Sequence, residues 1–150
     1  MYKLVKRFFD ILVSVFGLFF IFPLLIMIYM LSLFYQGLPV FFVHERLGIN
    51  GKSFKMVKFR SMTVGPSKSA KDDETRLTKF GRFLRRTSID ELPVLINVIK
   101  GDMSLVGPRP MPLKYLIRFN KNQKKRLYIK PGITGLAQIN GRNKLTWEEK

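Results

Sequence analysis

Between Asp10 and His44 the chain carries no Lys, Arg, Asp or Glu. Within that stretch the 25 residues from Ile11 to Tyr35 are Ile, Leu, Phe, Val, Met and Tyr, interrupted only by Ser14, Gly17, Pro23 and Ser32. As one helix rising about 1.5 Å per residue, the run reaches roughly 37 Å, enough to cross a hydrocarbon core of about 30 Å. It is therefore expected in a membrane. A cleavable signal peptide has an apolar region of only about 7 to 15 residues that ends at small residues, whereas this run continues into Gln36-Gly37-Leu38-Pro39.

Charge on the flanks bears on how the run sits. Lys3, Lys6 and Arg7 precede it, and residues 45–150 hold 24 basic against 9 acidic side chains. A straight span would satisfy the positive-inside tendency at one end only. Pro23 is the thirteenth of the 25 apolar residues; it removes an intrahelical hydrogen bond and clashes with the preceding turn, which predicts a kink there. A helix that turns back at Pro23 keeps both basic ends on one face. The expectation is thus a re-entrant helical hairpin with Pro23 as its structural residue, in preference to a straight span.

The 150 residues hold no Cys and one His, so disulfides, thiolate metal sites and multi-histidine sites are excluded. Nucleophilic or acid-base chemistry must use carboxylates, hydroxyls or Lys. A net charge of +17 calls for an anionic partner: phosphate, nucleic acid or an acidic membrane surface.

After the anchor, Val40 to Val43 and Phe54 to Arg60 read as strands. Ile49-Asn50-Gly51-Lys52 between them signals a hairpin, because Asn-Gly accepts the positive φ angles of a type I′ turn. The outward face of that hairpin is expected to carry Lys55, Lys58 and Arg60, either as a solvated edge or as a phosphate contact. Residues 63–79, including Gly65-Pro66-Ser67 and the polar run Lys68 to Thr75, read as a loop. Neither Gly-x-x-x-x-Gly-Lys-Ser/Thr nor Gly-x-Gly-x-x-Gly occurs, so the standard nucleotide cradles are absent.

The densest chemistry runs from Phe80 to Asp102. Leu92, Leu95, Ile96 and Ile99 recur at helical spacing, Pro93 suits a first turn, and Gly101 suits a stop. The spacing predicts an amphipathic helix from near Ile89 or Asp90, with Asp90 and Glu91 at its start and Arg82, Arg85 and Arg86 just upstream. There the macrodipole is expected to favour the ionised carboxylates. The pair has two readings. In one, Asp90 is an N-cap and Glu91 a dipole-matching neighbour. In the other, one carboxylate attacks phosphorus while its neighbour holds a magnesium ion against the phosphate oxygens. Further on, Pro108-Arg109-Pro110 fixes the backbone around Arg109, as a rigid loop or to aim its guanidinium at an anion. Lys121, Lys124, Lys125 and Arg126 lie on a predicted helix that suits an anionic bilayer surface.

Taken together, Lys6-Arg7-x-x-Asp10, the apolar run with central Pro23, Lys58-Phe59-x-x-Met62, Asp90-Glu91-Leu92, Gly101-Asp102-Met103-Ser104-x-Val106-Gly107-Pro108-Arg109-Pro110 and Pro131-Gly132-Ile133-Thr134-Gly135 resemble the bacterial sugar transferase family. The likeness is to its small monotopic polyprenol-phosphate phosphoglycosyl transferases and covers the whole chain. It implies an α+β fold, mostly helical and monotopic, with a re-entrant anchor over residues 1–39, a small β-hairpin and a cytoplasmic-face catalytic region over 40–150. By the same resemblance a sugar 1-phosphate moves from a UDP-sugar to undecaprenyl phosphate at the bacterial inner membrane, releasing UMP. Asp90 would be the nucleophile and Glu91 would bind Mg2+. Arg85 would hold a phosphate, with Lys58 and Arg109 as further substrate contacts. Nucleic acid is not expected as a partner. Family members usually continue past the tryptophan-containing stretch, so the end at Lys150 suggests a C-terminal truncation. The competing class is a non-enzymatic, membrane-anchored basic module that binds anionic lipid or nucleic acid through residues 45–150.

Overall fold

The computed structural model describes residues 2–65 and 74–140. Residues 66–73 of the predicted loop, Gly141-Arg142-Asn143 and the C-terminal end lie outside the described residues.

Helix α1, Tyr2–Gln36, is a single element of 35 residues with Pro23 inside it. The turn-back expected at Pro23 is not seen as a break in secondary structure. One proline removes one backbone hydrogen bond, and the turns on either side carry the helix past it. Among the described residues α1 is the one helix long and apolar enough to cross a membrane, and only 11% of its most apolar window is buried. That separates it from the core helix of a globular domain. Phe19, Phe20 and Phe34 are 73%, 74% and 83% exposed, whereas Asp10, Ser14, Ile28 and Ser32 lie buried along one stripe at helical spacing.

The helix stops at Gly37, which takes φ +67° and donates its N–H to the Leu33 carbonyl at 2.9 Å, as a C-terminal glycine does. Arg60 completes the stop by donating to the carbonyls of Gln36, Gly37 and Leu38. This corrects the expected outward face of the hairpin: Arg60 is buried at 7% exposure, Lys58 is half-buried, and only Lys55 is exposed. Four otherwise orphaned backbone groups at a helix end need donors, and one guanidinium supplies several.

Strands β1 (Phe41–Leu47) and β2 (Ser53–Phe59) form a two-stranded sheet. Their turn is the expected one, with Asn50 at φ 55° and Gly51 at φ +75°.

The chain divides into two compact units. In the one made of residues 18–43 and 57–94, Ile28, Val40, Phe59 and Leu84 form the core, with Leu24, Leu25, Phe80 and Ile89 packed against it. Helix α2, Lys79–Thr87, is capped by Thr78, whose hydroxyl accepts from Gly81 N–H at 2.8 Å. A Cβ at Gly81 would lie 1.8 Å from the Ser61 carbonyl oxygen, so this close approach admits only glycine. Ser88, at φ 59°, ends α2 and leads into a 3-10 turn over Ile89–Val94.

The other unit comprises residues 1–17, 44–56 and 95–150. Helix α3 is short, Leu95–Lys100, and Gly101 at φ +95° ends it as predicted. Its buried positions are Asn97 and Val98, while Ile96 is 43% exposed. The apolar face predicted through Leu92, Leu95, Ile96 and Ile99 is therefore rotated, because the 3-10 segment advances three residues per turn before the α segment begins. Strands β3 (Ser104–Val106) and β4 (Gly132–Thr134) pair in parallel, Ser104 opposite Gly132 and Val106 opposite Thr134. Asn120 and Gln123 cap each other at the start of the predicted basic helix, which occupies Lys121–Lys124.

Candidate active site

The Asp90 group is assembled within one compact unit, from the end of β2 and the residues just after it, from α2 and from the turn that follows α2. Strand β2 carries Lys58 to Glu91, with Nζ 2.6 Å from Oε1. α2 carries Arg85, whose Nε donates to the Ser61 hydroxyl at 2.8 Å. The left-handed residue Ser88 turns the chain so that Asp90 and Glu91 fall in the first turn of the 3-10 segment. Asp90 is thus one residue inside the turn, which argues against its being an N-cap. All three upstream arginines are exposed on α2, and Arg85 is the one tied to this group, through its hydrogen bond to Ser61 and its charge near Asp90.

Asp90 is 8% exposed. Burial pushes its carboxyl above the ordinary range; Lys58 opposes the rise, the neighbouring Glu91 adds to it, and Arg85 opposes it. The dipole-stabilised carboxylate expected at this position is accordingly not what forms: a six-residue 3-10 turn supplies little dipole, and desolvation outweighs it. Chemically, the group is a buried carboxylate beside an ion pair and a guanidinium, an arrangement suited to placing a nucleophile against a polyanion.

The donor set also fits magnesium. Mg2+ commonly uses one or two protein carboxylates and takes its remaining ligands from water and substrate phosphates. Asp90 and Glu91 can supply that number, and Glu91 already holds a cation, the Lys58 ammonium, at 2.6 Å. Among the described residues no cluster of three or more His, Asp or Glu forms an all-protein cage.

Arg109 is exposed and belongs to the other unit, where it lines a cleft with Leu47, Phe119 and Arg126. Pro23 lies within α1. Ser61, which orients Arg85, was marked by no sequence pattern; a lone serine after a strand carries no signal. A second polar cluster also forms around Asp10, which accepts from Lys6 at 3.2 Å, Ser104 Oγ at 2.9 Å and Leu105 N–H at 3.2 Å. Its side chains lie in two of the motifs that carry the family resemblance, Lys6-Arg7-x-x-Asp10 and Gly101-Asp102-Met103-Ser104, but no spacing in the sequence joins the two.

The family model for bacterial sugar transferases matches residues 1–150. An uncharacterized sugar transferase, EpsL, of Bacillus subtilis (strain 168) is 54% identical over 116 residues, covering 76% of this chain and 57% of that protein. The galactosyl transferase CpsE of Streptococcus agalactiae serotype III (strain NEM316) is 44% identical over 156 residues, 94% of this chain and 34% of the relative. The undecaprenyl-phosphate galactose phosphotransferase of Salmonella typhimurium (strain LT2) is 38% identical over 167 residues, 99% of this chain and 35% of the relative. The chain spans from a third to just over half the length of these relatives.

Proposed function

The chain belongs to the bacterial sugar transferase family, and we propose that it moves a sugar 1-phosphate from a UDP-sugar to undecaprenyl phosphate, releasing UMP, at the cytoplasmic face of the bacterial inner membrane. The observation that carries this reading is the buried Asp90 beside Lys58, Glu91 and Arg85 in a chain whose relatives include an undecaprenyl-phosphate galactose phosphotransferase.

In this mechanism a carboxylate oxygen of Asp90 attacks the phosphorus that bears the sugar. The bond to the bridging oxygen breaks, UMP leaves with that oxygen, and an acyl phosphate links Asp90 to the sugar phosphate. A phosphate oxygen of the lipid then attacks the same phosphorus, which restores the Asp90 carboxylate and yields the diphosphate-linked sugar. Arg85, oriented by Ser61, meets the donor phosphate oxygens with its guanidinium, and Lys58 adds positive charge beside Asp90. Bound at Glu91, magnesium would neutralise the diphosphate oxygens as charge builds on the leaving group. Asp90 and its cations thus position the nucleophile and offset the charge of the polyanion it attacks.

We also propose that α1 enters and leaves the membrane on the same face. Arg7, near its start, donates to the Val98 and Ile99 carbonyls at 2.5 and 2.7 Å. Ile28, past Pro23, packs in a core with Phe59 and Leu84. Each half of the helix is held by residues that follow it in the chain, a pattern that supports one-sided placement over a span with its ends on opposite faces. Cysteines placed singly at Tyr2 and Lys55 are expected to react from the same side of sealed vesicles; labelling from opposite sides would refute the hairpin.

The reaction is tested with full-length protein, magnesium and a UDP-sugar labelled in the phosphate attached to the sugar, without lipid. The expected result is label on a peptide containing Asp90 and stoichiometric release of UMP. UMP release that requires the lipid would point to direct attack by the acceptor. No turnover with any UDP-sugar, together with salt-sensitive binding of anionic lipid or nucleic acid, would favour the basic-module reading.

A further inference from the structure

Outside the Asp90 group, three cations gather at the start of α1 around the turn that ends α3. Lys6 is consumed by Asp10 and Ser104. Arg7 donates from both terminal nitrogens to the Val98 and Ile99 carbonyls, which are neutral acceptors, keeps further N–H donors in hand, and forms no ion pair with a carboxylate among the described residues. Lys130 stands beside it, half-buried, and its ammonium makes no hydrogen bond or ion pair with a described residue.

These two cations converge on one small volume. A Cβ on Gly101 would lie 3.4 Å from Arg7 Nη2 and 3.4 Å from Lys130 Nζ. Glycine is needed there for its φ of +95°, and both cations come within contact distance of the position its side chain would take. Burial lowers the Lys130 pKa and Arg7 lowers it further; Asp10 and Asp102 oppose the shift, and Lys6 adds to it. Asp10 is already taken up by Lys6, Ser104 and Leu105, and Asp102 accepts from Asn97 Nδ2 at 3.1 Å. No acidic residue follows in the sequence until Glu148. A half-buried ammonium near a guanidinium is stabilised by an anion placed between them.

Position names the class of anion. Arg7 lies just before the uncharged stretch of α1, at the depth where a membrane-embedded helix meets headgroup phosphates. We propose that Arg7 and Lys130, which converge beside Gly101, bind the phosphate group of a lipid. That phosphate is either the terminal monoester of a polyprenyl phosphate or the diester of an anionic phospholipid. No step of the transfer proposed above is required for this site.

The test is the rate at which acetic anhydride acetylates Lys130 in the full chain, read by mass spectrometry against Lys114, an exposed lysine of the same unit. One arm adds farnesyl phosphate to protein in zwitterionic micelles, with farnesol as control. The other compares nanodiscs of phosphatidylcholine with nanodiscs containing phosphatidylglycerol. Lys130 is expected to slow several-fold relative to Lys114 in at least one arm. Slowing by farnesyl phosphate alone assigns the site to a phosphomonoester, slowing by phosphatidylglycerol alone to a phospholipid headgroup, and slowing by both to phosphate in general. An unchanged Lys130 to Lys114 ratio in both arms, including equal slowing of the two lysines, would overturn the proposal.

Discussion

Two aspartates, one in each compact unit, are buried to nearly the same degree, Asp10 at 6% exposure and Asp90 at 8%, yet they are treated in opposite ways. Asp10 accepts from an ammonium, a hydroxyl and a backbone amide, three donors drawn from α1 and from the segment around β3. Asp90 receives no hydrogen bond from another described side chain; the nearby lysine is bonded to Glu91 instead. A saturated carboxylate has its charge answered inside the fold and ties distant segments together. An unsaturated one, buried among cations that touch its neighbours, keeps its lone pairs available for an incoming phosphorus at a cost in stability. The contrast supports a structural duty for Asp10 and the chemical one proposed for Asp90.

Exchanging the two roles by mutation is the strongest way to break this contrast. Asp90→Asn should lower UMP release by about 10³-fold or more, as loss of a nucleophile does, while leaving the thermal midpoint unchanged or higher. Asp10→Ala should cost about 1–3 kcal/mol in denaturant unfolding, because Lys6 and Ser104 lose their shared acceptor. A stable, fully active Asp90→Asn protein would end the nucleophile reading, and an Asp10→Ala protein as stable as the parent would end the structural one.

A smaller effect sharpens the chemistry around Asp90. Arg85→Lys keeps the charge and loses the planar fork held by Ser61. Transfer should fall by about tenfold, close to the loss of one charge-assisted hydrogen bond, with folding unaffected. Wild-type turnover would move Arg85 to the solvated face of α2 with Arg82 and Arg86.

The pH dependence of stability separates the two states of Asp90. Because its pKa is raised in the fold, the native protein binds this proton more tightly than the unfolded chain does. The ionised group therefore opposes folding above its native pKa, and that penalty disappears below the unfolded value of about 3.9. Asp90→Asn should be more stable than wild type at neutral pH, with the gap closing as pH falls towards about 4. A gap that widens on acidification would contradict the raised pKa.

The smallest expected change concerns Ser32, buried at 1% exposure with no partner for its hydroxyl among the described residues. Ser32→Ala removes an unsatisfied polar atom rather than a bond, so stability should stay within about 0.5 kcal/mol of wild type or rise. A loss above that would reveal a partner for the hydroxyl.

Features governed by near neighbours were legible in the sequence. The uncharged helix, the Asn50-Gly51 turn and the stop at Gly101 each depend on residues within a few positions of one another, where backbone sterics and local hydrogen bonds decide the outcome. The adjacency of Asp90 and Glu91 is of the same kind. Tertiary structure alone decided which cations meet them, Lys58 from 33 residues away and Arg85 through Ser61. It alone buried Arg60 under the end of α1, paired β3 with β4, and joined Asp10 to Ser104 across 94 positions. Three-residue strands are too short to show a period, and long-range pairing is set by which buried groups need partners once the chain has closed upon itself, a condition that no local pattern contains.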